Sequence, residues 1–297
     1  MPLIVGATDD VHVQAVIAAL DVEPTVLDAS TFLTAPVTLA ADGLRVGGEP
    51  LAAARGWLRR LAPAGWTETM NGHGRVAAGH SAAISALAAV ARDPRIDWLT
   101  PLDALGGAEN KPVQYRAAAL AGVPVPEWVV TTDPGDVPKS GSWVSKPLGP
   151  GSFIDDDGNG WVVPTARVDL GYPGTITAVP FVLQRLVEAT AHARVVTVGD
   201  QVWSAVLPAG DLPLDWRLSP EGHFGFTPEP VPGYVLGQAH AAAVSNGVRY
   251  SAQDWIRDAD HRWWFIDLNP AGQWLFLPEP VATGVTGAIA DFLQDHP

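Results

Sequence analysis

The pattern of hydrophobic and polar positions predicts alternating strands and helices along the chain. An apolar run at residues 3–5 ends at Gly6, and hydrophobic positions then recur at helical spacing over residues 11–20. A second apolar run, at residues 26–27, ends at Asp28. This order predicts an α/β unit. The G-x-G-x-x-G turn of dinucleotide-binding proteins is absent after the first strand, so no such site is predicted.

Turn and capping residues divide the rest of the chain into further elements. Asn110 is a favourable N-cap, and Gly122 and Pro124 end the helix that follows it. Gly199 and Asp200 separate two apolar runs and predict a hairpin. We predict helices over residues 81–91, 111–121, 234–246 and 283–293, and strands over residues 37–39, 44–46, 128–131, 142–147, 181–187, 194–198, 202–207, 250–257 and 263–268.

The last two predicted strands form a hairpin that carries a cluster of oxygen-bearing side chains. A two-residue turn at Asp260-His261 would place Asp254 directly opposite Asp267. Asn269 lies two residues beyond Asp267 and therefore on the same face of an extended segment. These oxygens suit a hard cation, and Mg²⁺ is usually held by one or two carboxylates and by substrate phosphates. The alternative is an exposed hairpin whose Asp residues are ordinary surface groups.

Composition and charge narrow the function classes. With 297 residues, 47% of them hydrophobic, the chain is long enough for about two globular domains. Its net charge of −14 argues against binding to nucleic acid. The lack of cysteine excludes disulfides, thiolate zinc sites and cysteine nucleophiles. The most apolar run, residues 81–91, is too short for a membrane span, and the first residues lack a basic leader, so we expect a cytoplasmic protein.

Cationic side chains stand at the ends of predicted elements. Lys111 begins a helix, and Lys146 ends a strand just before the small residues Gly149, Gly151 and Ser152. Backbone N–H groups of such a loop and a neighbouring ammonium can share the charge of a phosphate. This segment is therefore a candidate phosphate site.

Two arginines, Arg59 and Arg60, follow the strand-like run at residues 56–58. They are candidates for contacts with a substrate or a leader peptide, and the alternative is a solvated strand end. For two further arginines, Arg194 and Arg217, an ordinary surface ion pair is the alternative to any functional role.

The order of these features resembles the ATP-grasp carboxylate-amine ligases and, within them, the microviridin-type ribosomal peptide maturases, also called graspetide synthetases. The most specific motif is N-P-x-G-Q-W, which begins at Asn269. The resemblance covers residues 110–293 well and the N-terminal part more loosely. Its other motifs are Asn110-Lys111 with Gln114, Ala118 and Gly122, Val125-Pro126, Thr131, Ser145-Lys146-Pro147-Leu148, Leu183-Gln184, Arg194-Val195 and Asp215-Trp216-Arg217.

The resemblance implies an ATP-grasp fold of the α/β class, made of α+β lobes. It implies an N-terminal pre-ATP-grasp domain at residues 1–108, a central subdomain at 109–180 and a C-terminal subdomain at 181–297. The implied activity is that of an ATP-dependent ligase, which activates Asp or Glu side chains of a ribosomal precursor peptide as acyl phosphates and forms ester or amide crosslinks. The precursor peptide, with its leader and core, is the expected partner, and a homodimer is left open.

The resemblance also implies roles for individual residues. Asp254, Asp267 and Asn269 would hold Mg²⁺, while Arg194 and Arg217 would face the transferred γ-phosphoryl group. Lysines would bind the α- and β-phosphates of ATP, and main-chain groups of one strand would read the adenine. The implied nucleotide contacts are Lys111, Lys146, Gly149, Gly151, Ser152, Gln184, Arg185, Leu186 and Val187.

Two positions depart from the family pattern. Arg185 stands where an acid usually follows Gln184, and Asp267 replaces the usual Glu, which is one methylene longer. Two alternatives therefore stay open. One is a ligase that joins an amino acid or small amine to a free carboxylate, and the other is a nucleotide-binding pseudoenzyme without turnover.

Overall fold

The N-terminal α/β unit forms a parallel four-stranded sheet. The computed structural model describes residues 1–62, 66, 74–148, 151–154, 159–171 and 179–294. Helix α1 (Val11–Ala19) begins at Asp10, whose side chain accepts a hydrogen bond from the backbone N–H of His12. The predicted strand–helix–strand order is confirmed. The sheet has the order β2-β1-β6-β7, with strands β1 (Pro2–Val5), β2 (Thr25–Leu27), β6 (Arg55–Leu58) and β7 (Asp97–Trp98).

The remaining N-terminal elements complete the first core. Leu44 and Leu87 are buried in the same cluster as Leu3 and Val5 of β1. The helix that contains Leu87 begins earlier than predicted. These elements are α2 (Thr31–Thr34), the antiparallel strands β3 (Val37–Ala40), β4 (Gly43–Val46) and β5 (Glu49–Pro50), and helices α3 (Arg75–Val90) and α4 (Leu102–Ala108).

A second sheet, antiparallel, occupies the middle of the chain. Its order is β12-β9-β13-β8, with β8 (Trp128–Thr131), β9 (Trp143–Pro147), β12 (Ala166–Arg167) and β13 (Phe181–Arg185). Helix α5 (Lys111–Leu120) precedes it, and the Asn110 side chain caps this helix as predicted. Strand β10 (Ser152–Ile154) pairs antiparallel with β11 (Gly160–Val162). Because β13 pairs with β8 and β9, it lies with the middle sheet, and the division of the chain at residue 180 remains a proposal.

The third sheet, also antiparallel, shares its core with the N-terminal sheet. Val196 and Trp274 are buried in one cluster with Ile4 and Trp57, and Ile289 of the last helix lies between the two sheets. This shared core fixes the N-terminal and C-terminal parts of the chain against each other. The sheet order is β15-β14-β16-β17, with β14 (Ala191–Val198), β15 (Gln201–Pro208), β16 (Tyr250–Arg257) and β17 (Trp263–Asn269), and its helices are α6 (Pro220–Phe224), α7 (Gly233–Ser245) and α8 (Glu279–Gln294). In the described part of the chain, every helix is too short or too polar to cross a membrane.

The β16–β17 hairpin differs from the prediction at its turn. Arg257 pairs with Trp263, so the connection is longer than a two-residue turn at Asp260-His261, and that prediction is wrong. A β-bulge then shifts the register, because Trp255 pairs with Phe265 whereas Asp254 pairs with Asp267. The bulge makes up for the longer turn and leaves the predicted Asp254–Asp267 pairing confirmed.

Candidate functional site

Most of the predicted site residues line one cleft of about 280 Å³ between the middle and C-terminal sheets. Gly149 lies outside the described residues, and Ser152 is described only as backbone of β10. Arg194 is buried behind Asp254. The predicted residues that line the cleft are Lys111, Lys146, Gly151, Gln184, Arg185, Leu186, Val187, Arg217, Asp254, Asp267 and Asn269.

The bulge at Ile266 turns the oxygen-bearing side chains towards this cleft. Before it, Trp263 and Phe265 are buried in the core, and after it Leu268 is buried there instead. A strand places alternate residues on opposite faces, so one extra residue reverses which of them face the core. Without the bulge, Asp267 would share the buried face of Phe265. The bulge is therefore what makes this carboxylate available in the cleft.

Cations already neutralise the two carboxylates of the hairpin. The Lys111 Nζ lies 3.1 Å from an Asp267 oxygen, and an Arg194 Nη donates to Asp254 Oδ1 at 2.8 Å. Asn269 Oδ1 accepts a hydrogen bond from the Ala271 backbone N–H at 2.9 Å. Two carboxylates and one amide oxygen thus converge from paired strands.

This donor set fits Mg²⁺. Among the described residues, no three His, Cys, Asp or Glu side chains form a metal-binding cluster. A site here would consist of two carboxylates and an amide, which leaves coordination positions for water and for nucleotide phosphates. Mg²⁺ is bound in this way in phosphate-transferring enzymes, whereas a site for Ca²⁺ usually supplies more protein oxygens.

Lys146 is buried at the back of the cleft, with 6% of its surface exposed. Its Nζ lies 3.4 Å from the carbonyl oxygen of Ile266, the bulged residue, which also accepts a hydrogen bond from the Tyr115 hydroxyl at 3.0 Å. Burial lowers the pKa of Lys146 to about 8, against the opposing attraction of Asp267. The bulge therefore supplies an acceptor that holds this ammonium beneath the cleft.

Arg217 is held by a two-pronged pair with Asp215. Its Nε and one Nη donate to the two carboxylate oxygens at 2.8 Å and 2.7 Å. Burial alone would raise the pKa of Asp215, but the hydrogen bonds and charge of Arg217 hold it below its ordinary value. Fork-to-fork pairing fixes the plane of the guanidinium, so Arg217 enters the cleft in one orientation.

His192 is a cleft residue that the sequence analysis missed. It lies on β14, two residues before Arg194, and lines the cleft with only 8% of its surface exposed. Burial lowers its pKa, against the opposing influence of Asp254 and Asp215. The signal was the i, i+2 spacing of two polar side chains within an otherwise apolar strand, which places both on one face.

Arg185, the departure from the family pattern, lines the cleft, but its guanidinium lies on the Trp143 face of β13. Its guanidinium lies 5.9 Å from the Trp143 ring and against Gly141. The neighbouring Gln184 is on the opposite face of the strand, is buried, and has a side-chain nitrogen without a hydrogen-bond partner among the described residues. Gln184 and main-chain groups therefore remain available to a nucleotide whatever the residue at 185.

We accordingly expect Arg185→Ala to change nucleotide affinity by no more than about threefold, as is usual for exposed substitutions. The measurement is ADP titration by isothermal calorimetry at neutral pH. A loss of tenfold or more would contradict this geometry and place the guanidinium in contact with the nucleotide.

Arg59 and Arg60 have different environments. Arg60 is exposed, which agrees with a solvated strand end. Arg59 is only 3% exposed and contacts Asp10, His12 and the backbone of Ala271. For Arg59 neither interpretation from the sequence was correct, because its guanidinium is a buried connection between the N-terminal and C-terminal parts of the chain.

The environment of His12 predicts that folding is sensitive to acid. Burial and the charge of Arg59 lower its pKa from 6.5 to about 4, although Asp10 acts in the opposite direction. Over this interval the unfolded chain binds a proton that the folded chain does not, so stability falls as the pH falls from 6.5 towards 4. We expect this to cost up to about 3 kcal/mol.

Thermal unfolding of wild type and His12→Asn between these pH values tests the assignment. The variant should lose much of the pH dependence and keep the part due to His192. Equal pH dependence in both proteins would show that His12 does not cause it.

Comparisons with known proteins establish the fold. No family model matches the sequence, and no curated protein matches it. Among solved structures, the macrocyclase MdnC of Microcystis aeruginosa, bound to its precursor peptide MdnA, has a TM-score of 0.80 at 21% identity over 100% of both chains. The ATP-grasp ligase PsnB, with a minimal precursor, Mg and ADP, has a TM-score of 0.78 at 23% identity over 99% of this chain and 97% of that one.

A third structure extends this similarity to another organism. A RiPP-associated ATP-grasp ligase of Chryseobacterium gregarium, in complex with ADP and a leader and core peptide, has a TM-score of 0.84 at 19% identity. The match covers 100% of this chain and 97% of that one. The predicted ATP-grasp fold is confirmed over the full length of the chain.

Proposed function

We propose that this protein is an ATP-dependent ligase that crosslinks a ribosomally made precursor peptide. It would activate Asp or Glu side chains of the peptide core and join them to hydroxyl or amine side chains of the same peptide. The main support for the proposal is the cleft within the ATP-grasp fold. Its lining includes Asp254, Asp267, Asn269, Lys111 and Lys146. Full-length structural similarity to ligases that bind precursor peptides supports this substrate class.

The cleft residues divide into two groups by charge. Asp254, Asp267 and Asn269 would hold Mg²⁺, which supplies positive charge to the phosphates when bound. Lys111 and Lys146 would bind phosphate oxygens from the opposite side. Phosphoryl transfer needs positioning and charge neutralisation more than a nucleophilic side chain, so a chain without cysteine can perform it.

The reaction would proceed in two bond exchanges. A carboxylate oxygen of the peptide bonds to the γ-phosphorus of ATP, and ADP leaves. A hydroxyl or amine of the peptide then attacks the acyl carbon, phosphate leaves, and the nucleophile loses its proton. Arg217, held in one orientation by Asp215, would face the transferred phosphoryl group, and Arg194 would hold Asp254 from behind.

The finer assignments belong to the same proposal. A cytoplasmic location fits a chain without cysteine. The net charge of −14 disfavours nucleic acid as a partner. A homodimer is proposed from the family resemblance alone, and light scattering of the purified protein would test it.

Mass spectrometry of candidate precursor peptides encoded beside the gene tests the function. After incubation with enzyme, ATP and Mg²⁺, the peptide should lose one water for each crosslink formed, in step with ADP release. ADP release that needs a free amine and leaves every peptide unchanged would favour the small-molecule ligase. Nucleotide binding without ADP release would favour the pseudoenzyme.

A further inference from the structure

The loop of residues 270–274, which directly follows Asn269, is held by side chains from distant parts of the chain. We propose that Arg59 is a positioning residue of the metal site and that it fixes this loop, and through it Asn269, from the N-terminal sheet. The proposal rests on the proposed function, because it assigns Arg59 to the metal site of that reaction.

Arg59 reaches the loop through its guanidinium. One Nη donates to the carbonyl oxygen of Ala271 and lies 3.5 Å from that of Gly272. Its Nε donates to Asp10 Oδ2 at 3.2 Å. Since Asp10 caps helix α1, the guanidinium connects the first helix of the chain to the loop after β17. Its burial makes this connection costly to break, because a buried charge without partners is strongly destabilising.

His12 holds the other end of the same loop. Its Nε2 accepts a hydrogen bond from the Trp274 backbone N–H at 3.4 Å, and its Nδ1 lies 3.2 Å from Asp10 Oδ1. A neutral imidazole with its proton on Nδ1 satisfies both contacts, and Arg59 Nη2 then lies 3.4 Å from Nδ1 without donating to it. The His12 and Trp274 rings also pack edge to face, with centroids 4.5 Å apart. Arg59 and His12 therefore act on the loop as one unit.

Side chains of the C-terminal sheet also hold the loop of residues 270–274. The Tyr250 hydroxyl donates to the Gly272 carbonyl oxygen at 2.7 Å, and an Arg194 Nη donates to that of Gln273 at 3.4 Å. Gly272 lies so close to Ala252 that a side chain there would collide with it. The loop backbone is thus fixed at successive carbonyl groups.

The loop position controls Asn269 directly. The Asn269 side-chain oxygen accepts from the Ala271 N–H, so a shift of Ala271 turns the amide that would bind the metal. Ala271 is also the residue whose carbonyl Arg59 holds. Groups that orient metal ligands without touching the metal typically affect metal affinity by about 10- to 100-fold. Arg59 has this relation to Asn269.

The test measures metal binding apart from turnover. Mn²⁺ is titrated by electron paramagnetic resonance into the full-length protein saturated with a non-hydrolysable ATP analogue. Arg59→Gln should weaken Mn²⁺ binding by about tenfold or more, and Arg59→Lys should weaken it less because an ammonium still donates to Ala271. Arg60→Gln, a change at the exposed neighbour, is the matched control and should leave Mn²⁺ affinity unchanged.

A second variant keeps the test decisive if Arg59→Gln fails to fold. Tyr250→Phe removes one hydroxyl from the same loop and should weaken Mn²⁺ binding by about threefold while affinity for the analogue without metal stays constant. Unchanged Mn²⁺ affinity in Arg59→Gln, or in Tyr250→Phe where Arg59→Gln does not fold, would overturn the inference and leave the proposed function standing. A wild-type protein that binds no Mn²⁺ with the analogue would overturn the proposed metal site, and the inference with it.

Discussion

Asp267→Asn should abolish ADP formation and peptide crosslinking while the protein stays folded, with the rate falling on the order of a thousandfold. The substitution keeps the shape of the side chain and removes its charge. Asp267 is paired with Lys111 at 3.1 Å in the part-exposed cleft, where such a pair contributes little to stability. The loss should therefore appear in catalysis and metal binding and leave the melting temperature nearly unchanged.

The same sheet offers a matched control for this variant. Asp200 lies in the exposed turn between β14 and β15 and does not line the cleft, so Asp200→Asn should retain wild-type rates. ADP release is measured by a coupled assay and crosslinking by mass spectrometry of the peptide. An Asp267→Asn enzyme that works at a rate near wild type would remove Asp267 from the metal site and leave the proposed mechanism without its central ligand.

The β16–β17 hairpin shows how much a local sequence pattern can predict. The Asp254–Asp267 pairing was predicted from a turn shorter than the observed one, and the bulge at Ile266 restored the register. The sequence does not show the bulge, because residues 263–266 are all apolar and only the structure reveals that the buried positions shift from Trp263 and Phe265 to Leu268. The contact of the Ile266 carbonyl with Lys146 is also absent from the local pattern, because it depends on how two sheets pack.

Other site features arise from contacts between residues far apart in sequence. Nothing near Arg59 in the chain indicates that its guanidinium reaches Ala271, more than two hundred positions away. The residue type at Arg185 likewise suggested a changed nucleotide site, whereas the structure places its guanidinium near the Trp143 ring. Sequence motifs named the candidate site residues, and packing between the sheets determines which other residues contact them.

Lys146→Met should lower nucleotide affinity by about a hundredfold, the cost of removing a charge-assisted hydrogen bond to phosphate from a buried site. Met nearly matches the volume of the lysine side chain and brings no charge to a position where burial disfavours one. At pH 7 the folded wild-type protein carries the full cost of holding this ammonium, because its pKa of about 8 lies below the unfolded value of 10.5. The variant should therefore melt no lower than wild type.

The pH dependence of wild-type binding gives a sharper form of the same prediction. As the pH rises through about 8, the free enzyme loses the Lys146 proton, and a nucleotide that requires the ammonium must bind together with a proton. Affinity for ADP should then fall by up to about tenfold per pH unit, and the Met variant should show no such fall. Lys139→Met, at an exposed lysine, is the matched control and should follow wild type. If Lys146→Met bound ADP as tightly as Lys139→Met at every pH, Lys146 would not be a phosphate ligand.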